Sequence, residues 1–351
     1  MNRYKKTIFS HAIFLAATLF SCLPPAALAQ NGNFEKVDGE NRAAPSLSAT
    51  HGQVWRVHDI SRYTARINNT KKPEMPILDW IFMETGFETW HSEIPAMLTV
   101  TPTEVRVFHT PEIQKKVADV VAKFISTDPN RHEFKIQLFT IGSPNWRQKI
   151  VRELSPIPSF SVGSQAWVLG AEDLKAVTEM FEAQPGFSRH STQSARIVNG
   201  QPYVCGLGRT RTYTRNVYVR PGIGKKPEAD DVIFEDGFSF ELMPLLSVDG
   251  GLIDAQLKCQ IDHLERFLPL QIPIAGDFGK REDQKISLPV MGQYRFRERY
   301  QWNSQKILLV SLGLTPIPVP SGNESRPGLP FLGGDSRVEM LVMIQYRGVD
   351  N

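Results

Sequence analysis

Cysteine is scarce in this chain. Three residues in 351, Cys22, Cys205 and Cys259, cannot supply the disulfide framework of a small secreted scaffold or the ligand spacing of a structural zinc site. Histidine forms no metal motif either. His51, His58, His91, His109, His132, His190 and His263 are scattered, and none sits in an H-E-x-x-H pattern. There is no G-x-S-x-G elbow. Gly206-Leu207-Gly208 and Pro221-Gly222-Ile223-Gly224 lack the strand-to-helix setting of a phosphate cradle and read as turns. Charge of one sign is missing as well: 40 Lys and Arg face 37 Asp and Glu. Arg3, Lys5 and Lys6 leave with the N-terminus if it is cleaved, which removes the electrostatic case for binding nucleic acid or anionic lipid. These absences together predict no enzyme chemistry, no metal or cofactor, no nucleic acid and no small-molecule substrate.

Long apolar runs are also few. The run from Ile8 to Leu23 contains His11 and Ser21 and falls short of the ~20 residues that cross a bilayer as a helix. Preceded by a basic head and followed by Ala27-Leu28-Ala29, it reads as a secretory signal peptide over residues 1–29. Leu19-Phe20-Ser21-Cys22 resembles a bacterial lipobox, so cleavage and lipidation at Cys22 is the competing reading. An exported protein permits a disulfide between Cys205 and Cys259; two buried free thiols is the alternative. Residues 30–52 are small, polar and without period, and read as a disordered leader.

Residues 53–127 read as a small α+β module. Val54 to Ile60 is a strand of mixed faces that needs an edge position or a covered second face. Pro73 to Gly86 is a helix presenting Ile77, Leu78, Ile81 and Phe82, and Met97 to His109 is two strands around Thr101 to Glu104, with Leu98, Val105 and Val107 inward. Thr110 to Ser126 is the best helix: Pro111 suits its first position, Glu112 its positive first turn, and Ile113, Val117, Val120, Val121 and Phe124 form its buried stripe. The order resembles the small periplasmic modules that precede a secretin domain and ring together side by side.

Residues 132–346 read as mainly β. His132 to Gly142 alternates as a half-buried strand. Trp146, Ile150 and Leu154 share one face of a short helix between Pro144 and Pro158, and Val162 to Gly170 is a short strand. Ala171 to Phe181 is a helix with Leu174, Val177, Met180 and Phe181 on one stripe. Asn199-Gly200 is a strong type I′ hairpin signal. Arg211 to Arg220 alternates as a strand, Pro221 to Gly237 reads as a loop, and Gly279 to Lys285 as a charged turn between strands. Tyr294 to Trp302 places Arg295, Arg297 and Arg299 on one side. That stripe faces either acidic partners and a ring interior or simply solvent. Tyr294, Phe296 and Tyr300 could anchor at a membrane interface, and Phe238 to Leu246 with Leu252 to Ile261 partly match barrel strands.

The helix, the run around Asn199 and Gly200, the paired strands with Pro244 and the Asp249-Gly250 turn, Trp302 to Pro316 with Gly313, the Pro330, Gly333 and Gly334 lip and the closing strand Val338 to Tyr346 follow one another in the order seen in bacterial secretins. The resemblance is to the secretin family of type II and type III secretion and pilus outer-membrane proteins. The chain departs from the pattern at Ser311-Leu312-Gly313, where one glycine is lost, in its short lip, and in a last strand ending Gln-Tyr-Arg.

The expected fold is therefore α+β, a small αβ periplasmic module followed by a mainly antiparallel secretin-like β domain. The resemblance implies a subunit of an outer-membrane ring for type II/III-like secretion. Its partners would be copies of itself and other envelope secretion or pilus proteins, with the outer membrane or the periplasm as its place. The alternative is a non-enzymatic periplasmic structural or interaction protein derived from the family. Leu308, Val310, Leu341 and Val342 lie in runs apolar on both faces. They are expected either to join neighbouring subunits edge to edge or to pair in the core of one monomer.

Overall fold

Three antiparallel sheets carry the strand pairing among the described residues. The computed structural model describes residues 50–68, 70–126, 132–142, 144–150, 152–219, 227–275, 281–318 and 337–349. The expected signal peptide, Cys22, residues 30–49 of the leader, and Pro330, Gly333 and Gly334 of the lip lie outside them.

The first sheet belongs to the N-terminal module and is ordered β1 (Val54–Asp59), β3 (Glu104–His109), β2 (Met97–Val100). Its helices are α1 (Ser61–Thr64), α2 (Met75–Thr85) and α3 (Pro111–Ser126). Alternation places Val105 and Val107 under the helices, where the full stripe of α3 from Ile113 to Phe124 is buried against them. The edge position expected of the first strand is observed: β1 pairs on one side only, and Trp55 and Val57 are exposed. On α2 the expected stripe is incomplete. Ile77 and Ile81 are buried, Leu78 and Phe82 are half-buried, and Trp80 is fully buried. The cause is a second covering surface on α2, the C-terminal β unit.

The second sheet has the order β5 (Ser155–Ile157), β6 (Gln165–Leu169), β12 (Ile307–Pro316), β13 (Arg337–Val349), β4 (His132–Ile141), β7 (Ser188–Ile197). One face packs Leu308, Val310, Met340, Val342 and Ile344 against the third sheet. The opposite face packs Ile307, Leu309, Leu341 and Met343 under Trp146, Ile150, Leu154 and helix α4 (Leu174–Glu182). Both faces are covered, which is what two-sided apolar strands require. The expectation that β12 and β13 supply open edges is corrected here. Val342 faces Val310 on one side and Leu138 on the other, so Leu308, Val310, Leu341 and Val342 lie at the centre of the sheet.

The third sheet is ordered β11 (Arg281–Asn303), β10 (Leu252–Ala275), β9 (Pro227–Leu246), β8 (Tyr203–Val219). Three sequence expectations fail in it. Gly206-Leu207-Gly208 lies inside β8 and not at a turn, residues 227–237 are strand, not loop, and residues 281–285 extend β11 where a turn was expected. Composition misled because the polar residues satisfy one another across the ladder: Arg211 bonds Asp236, Arg215 bonds Asp230, Thr210 bonds Glu235 and Thr214 bonds Asp231.

Candidate assembly surface

The positions singled out by sequence are mostly joints. Asn199 and Gly200 do not turn a hairpin, since β7 pairs with β4 and β8 with β9. They form the corner where the chain passes from the second sheet to the third. Buried Asn199 donates from Nδ2 to the Lys123 carbonyl at 2.9 Å and accepts from the Leu246 N–H at 2.7 Å. It thereby ties the end of α3 to the end of β9. Gly200 has φ +77° and donates to the Pro244 carbonyl at 2.6 Å, and a Cβ there would fall on the Phe124 ring. Glycine is required twice over, by backbone and by space. Tyr63 closes the joint, donating to the Asn199 carbonyl and accepting from Gln201. Asp249 and Gly250 turn β9 into β10, with the Asp249 carboxylate accepting from Ser247 and the Gly251 N–H.

A second joint uses the arginine stripe. Arg299 bonds Asp254 at 2.8 and 2.6 Å, Glu84 of α2 at 2.6 Å and the Met83 carbonyl at 3.3 Å, with its guanidinium over Trp80. The Arg299 bond holds the Glu84 carboxyl below the usual carboxylate range. Met243 and Leu245 of β9 belong to the same apolar core as α2 and α3. The stripe is therefore not a plain solvent face: Arg299 joins module to β unit, and Arg295 pairs with Asp262 at 2.7 Å. On the other side of β11, Phe296 and Tyr300 are buried between the sheets and half-buried Tyr294 packs beside them, donating to the Leu312 carbonyl, so within the chain these three aromatics pack as core. Phe238 to Leu246 and Leu252 to Ile261 bury their apolar face in the same core, Phe238, Phe240 and Leu242 on one strand and Ile253, Ala255, Leu257 and Ile261 on the other, while on the opposite face Lys258 pairs with Glu241 at 2.6 Å.

A third joint lies at the bulge between Ser311 and Gly313 in β12. Gly313 serves this bulge, at φ +79° beside the Gly163 carbonyl. Buried Glu339 accepts from Ser311 at 2.5 Å, from Trp146 Nε1 at 2.9 Å and from both terminal nitrogens of Arg147. Arg147 in turn lies over Trp146 and Trp167.

The surface left open is the far half of the third sheet. β9 and β10 pair only as far as Gly237 opposite Asp262. At that fork buried Asp236 accepts from Arg211 and from the Leu264 N–H, beside the bulge at Leu264 and Arg266. Beyond it the strands continue as two ribbons, β8 with β9 and β10 with β11. The first is polar and cross-linked by the pairs given above. On one face of the second, Leu268 stands opposite Leu288 and Leu270 opposite Ile286, with Leu268 and Leu270 exposed. Alternation from Leu268 to Ile272 signals this face in the sequence, but the bulge that reverses it does not. Among the described residues the outer sides of β8 and β11 are unpaired, and Cα atoms of these two edges come within 8 Å without forming a ladder.

Cys205 and Cys259 are free and buried. Both stand in register with Phe240 on the strand between them, which sets their Cα atoms about 10 Å apart, beyond the ~7 Å limit of a disulfide. Burial pushes their thiols up to about 11 and about 12. Among the described residues no three His, Cys, Asp or Glu side chains gather to hold a metal, and no helix is long and apolar enough to cross a membrane.

No protein-family model and no curated protein matches the sequence. The solved structures to which the chain is similar include three secretins, all at low identity. The type IV competence pilus secretin PilQ of V. cholerae is 11% identical over 85% of this chain and 78% of its own, with a TM-score of 0.27. The type II secretin GspD of enteropathogenic Escherichia coli is 9% identical over 83% and 87%, with a TM-score of 0.25. The InvG secretin domain β-barrel of the Salmonella SPI-1 injectisome is 13% identical over 73% and 74%, with a TM-score of 0.25.

Proposed function

We propose that this chain is a structural subunit of the bacterial envelope that assembles into a ring through the open edges of its third sheet, as a secretin-like component of a secretion or pilus system. The observation that carries the reading is the geometry of β8 and β11. In a four-stranded antiparallel sheet the two outer strands run in opposite directions, so β8 of one copy laid beside β11 of the next continues the alternation. Such a contact joins different surfaces and forms a ring where its rotation closes, satisfying the edge groups that a monomer leaves exposed. Exposed Leu268 and Leu270 of the β10/β11 ribbon offer a side to lipid or to a neighbouring ribbon, beside Ile286, which is buried, and the sequence pattern of a signal peptide agrees with export.

One observation favours the second reading, a periplasmic interaction protein without a pore: the two edges already approach one another within one chain. Fractionation separates the two. Ring subunits pellet with outer membranes and persist as very large oligomers in mild detergent; recovery of a soluble monomer or small oligomer leaves only the second reading.

A further inference from the structure

A different open edge lies on the second sheet, at β7. This ten-residue strand, Ser188 to Ile197, pairs on one side with β4 and on the other with nothing among the described residues. In an antiparallel strand alternate residues point N–H and C=O outward. Roughly half of the groups of β7 therefore face away from the ladder, at a repeat of about 6.8 Å that only another extended backbone reproduces. The opposite edge of the sheet differs: β5 has three residues and contains Pro156.

Helix α4 lies beside this edge. It is seated over β4, with Phe181 against Phe139 at 5.0 Å between ring centroids. Between helix and edge runs an open cleft of about 320 Å³, floored by Lys135 and Gln137 of β4 and walled by Thr178, Glu182 and Arg189. Strand register puts Arg189, Thr192 and Ser194 on the same face as Lys135 and Gln137, so that face of an added strand would present its side chains to the cleft. Charge decides what they are. Arg189 is paired with Glu182, and Lys175 reaches Glu179 at 3.9 Å. Lys135 has no carboxylate partner among the described residues, and β7 itself holds arginine but no acid.

We infer that β7 and α4 form a docking site for an extended acidic segment of a partner protein, which adds as a seventh strand and places a carboxylate on Lys135. A strand edge beside a helix is a geometry that binds peptides by backbone pairing and selects them by side-chain pockets. The site shares no residue with the β8 and β11 edges, so it stands or falls independently of the ring.

The test uses the full mature chain and a fluorescent twelve-residue peptide alternating threonine with glutamate, with a threonine–lysine peptide as control. The glutamate peptide is expected to raise anisotropy saturably and to slow amide hydrogen exchange within Ser188 to Ile197. Lys135→Glu should weaken it at least tenfold and bring in the lysine peptide instead. Circular dichroism of that variant should stay unchanged, since the side chain lies at a surface cleft. Equal binding of both peptides, protection elsewhere, or no binding overturns the proposal. So does protection of β7 without peptide, which would mean that a second copy occupies the edge.

Discussion

Asn199→Ala removes a side chain that satisfies both a helix-end carbonyl and a strand-end N–H in a buried corner. It is expected to lower stability by about 2 kcal/mol in urea unfolding, because both groups are left unpaired. Glu339→Ala strands the Arg147 guanidinium and the Ser311 hydroxyl, and the loss should be larger, about 3–5 kcal/mol; Glu339→Gln should recover part of it. Equal, near-zero effects of both substitutions would contradict the roles given to these joints. The sequence marks such residues without explaining them. Asn199-Gly200 and Gly313 stand out as turn chemistry, yet positive φ serves a corner and a bulge as well as a hairpin. Only the partner strand distinguishes them. Arg147 and Glu339 are 192 residues apart, and no local pattern joins them.

Among the elements, periodicity located most strands and the helices α2, α3 and α4, because burial on one stripe leaves a local trace. It pointed to the edge at β1 but not to those of the two larger sheets. The runs in β12 and β13 report two covered faces, which fits the middle of a sheet as well as a subunit interface, and pairing decides for the middle. Val342→Pro is therefore expected to damage the monomer itself, by about 3 kcal/mol or more, through a lost ladder bond and core packing. Loss of large oligomers with unchanged monomer stability would contradict that placement. On β8 the opposite result is expected. Of Thr212→Pro and Tyr213→Pro, the one whose N–H points away from β9 should leave the fold intact and abolish large oligomers, read by urea unfolding and by size-exclusion chromatography in detergent.

For the whole molecule, stability should form a dome in pH. Burial lowers the pKa of His58, His109, His132 and His190 in the folded state. Below their ordinary value of about 6.5 the unfolded chain binds protons that the folded chain refuses, so stability falls as pH drops from there. Glu84, with its pKa lowered by Arg299, adds a further loss at lower pH as it protonates. Burial raises Cys205 and Cys259 to about 11 and about 12. The unfolded thiols ionise first, and stability falls again as pH rises above the ordinary thiol value. A melting temperature that is flat from pH 5 to pH 10 would contradict this burial pattern.

Contact between copies through β8 and β11 can be trapped by mixing two single-substitution variants in detergent or lipid under oxidising conditions. One carries Thr212→Cys on β8; the other carries Lys285→Cys, Ser287→Cys or Gln293→Cys on β11. The buried native thiols stay unreactive. The expected result is a cross-linked heterodimer for at least one β11 position, homodimers of neither variant, and light scattering of the wild type far above monomer mass. No heterodimer at any position, together with monomer mass at micromolar concentration, would contradict it and leave the periplasmic interaction protein.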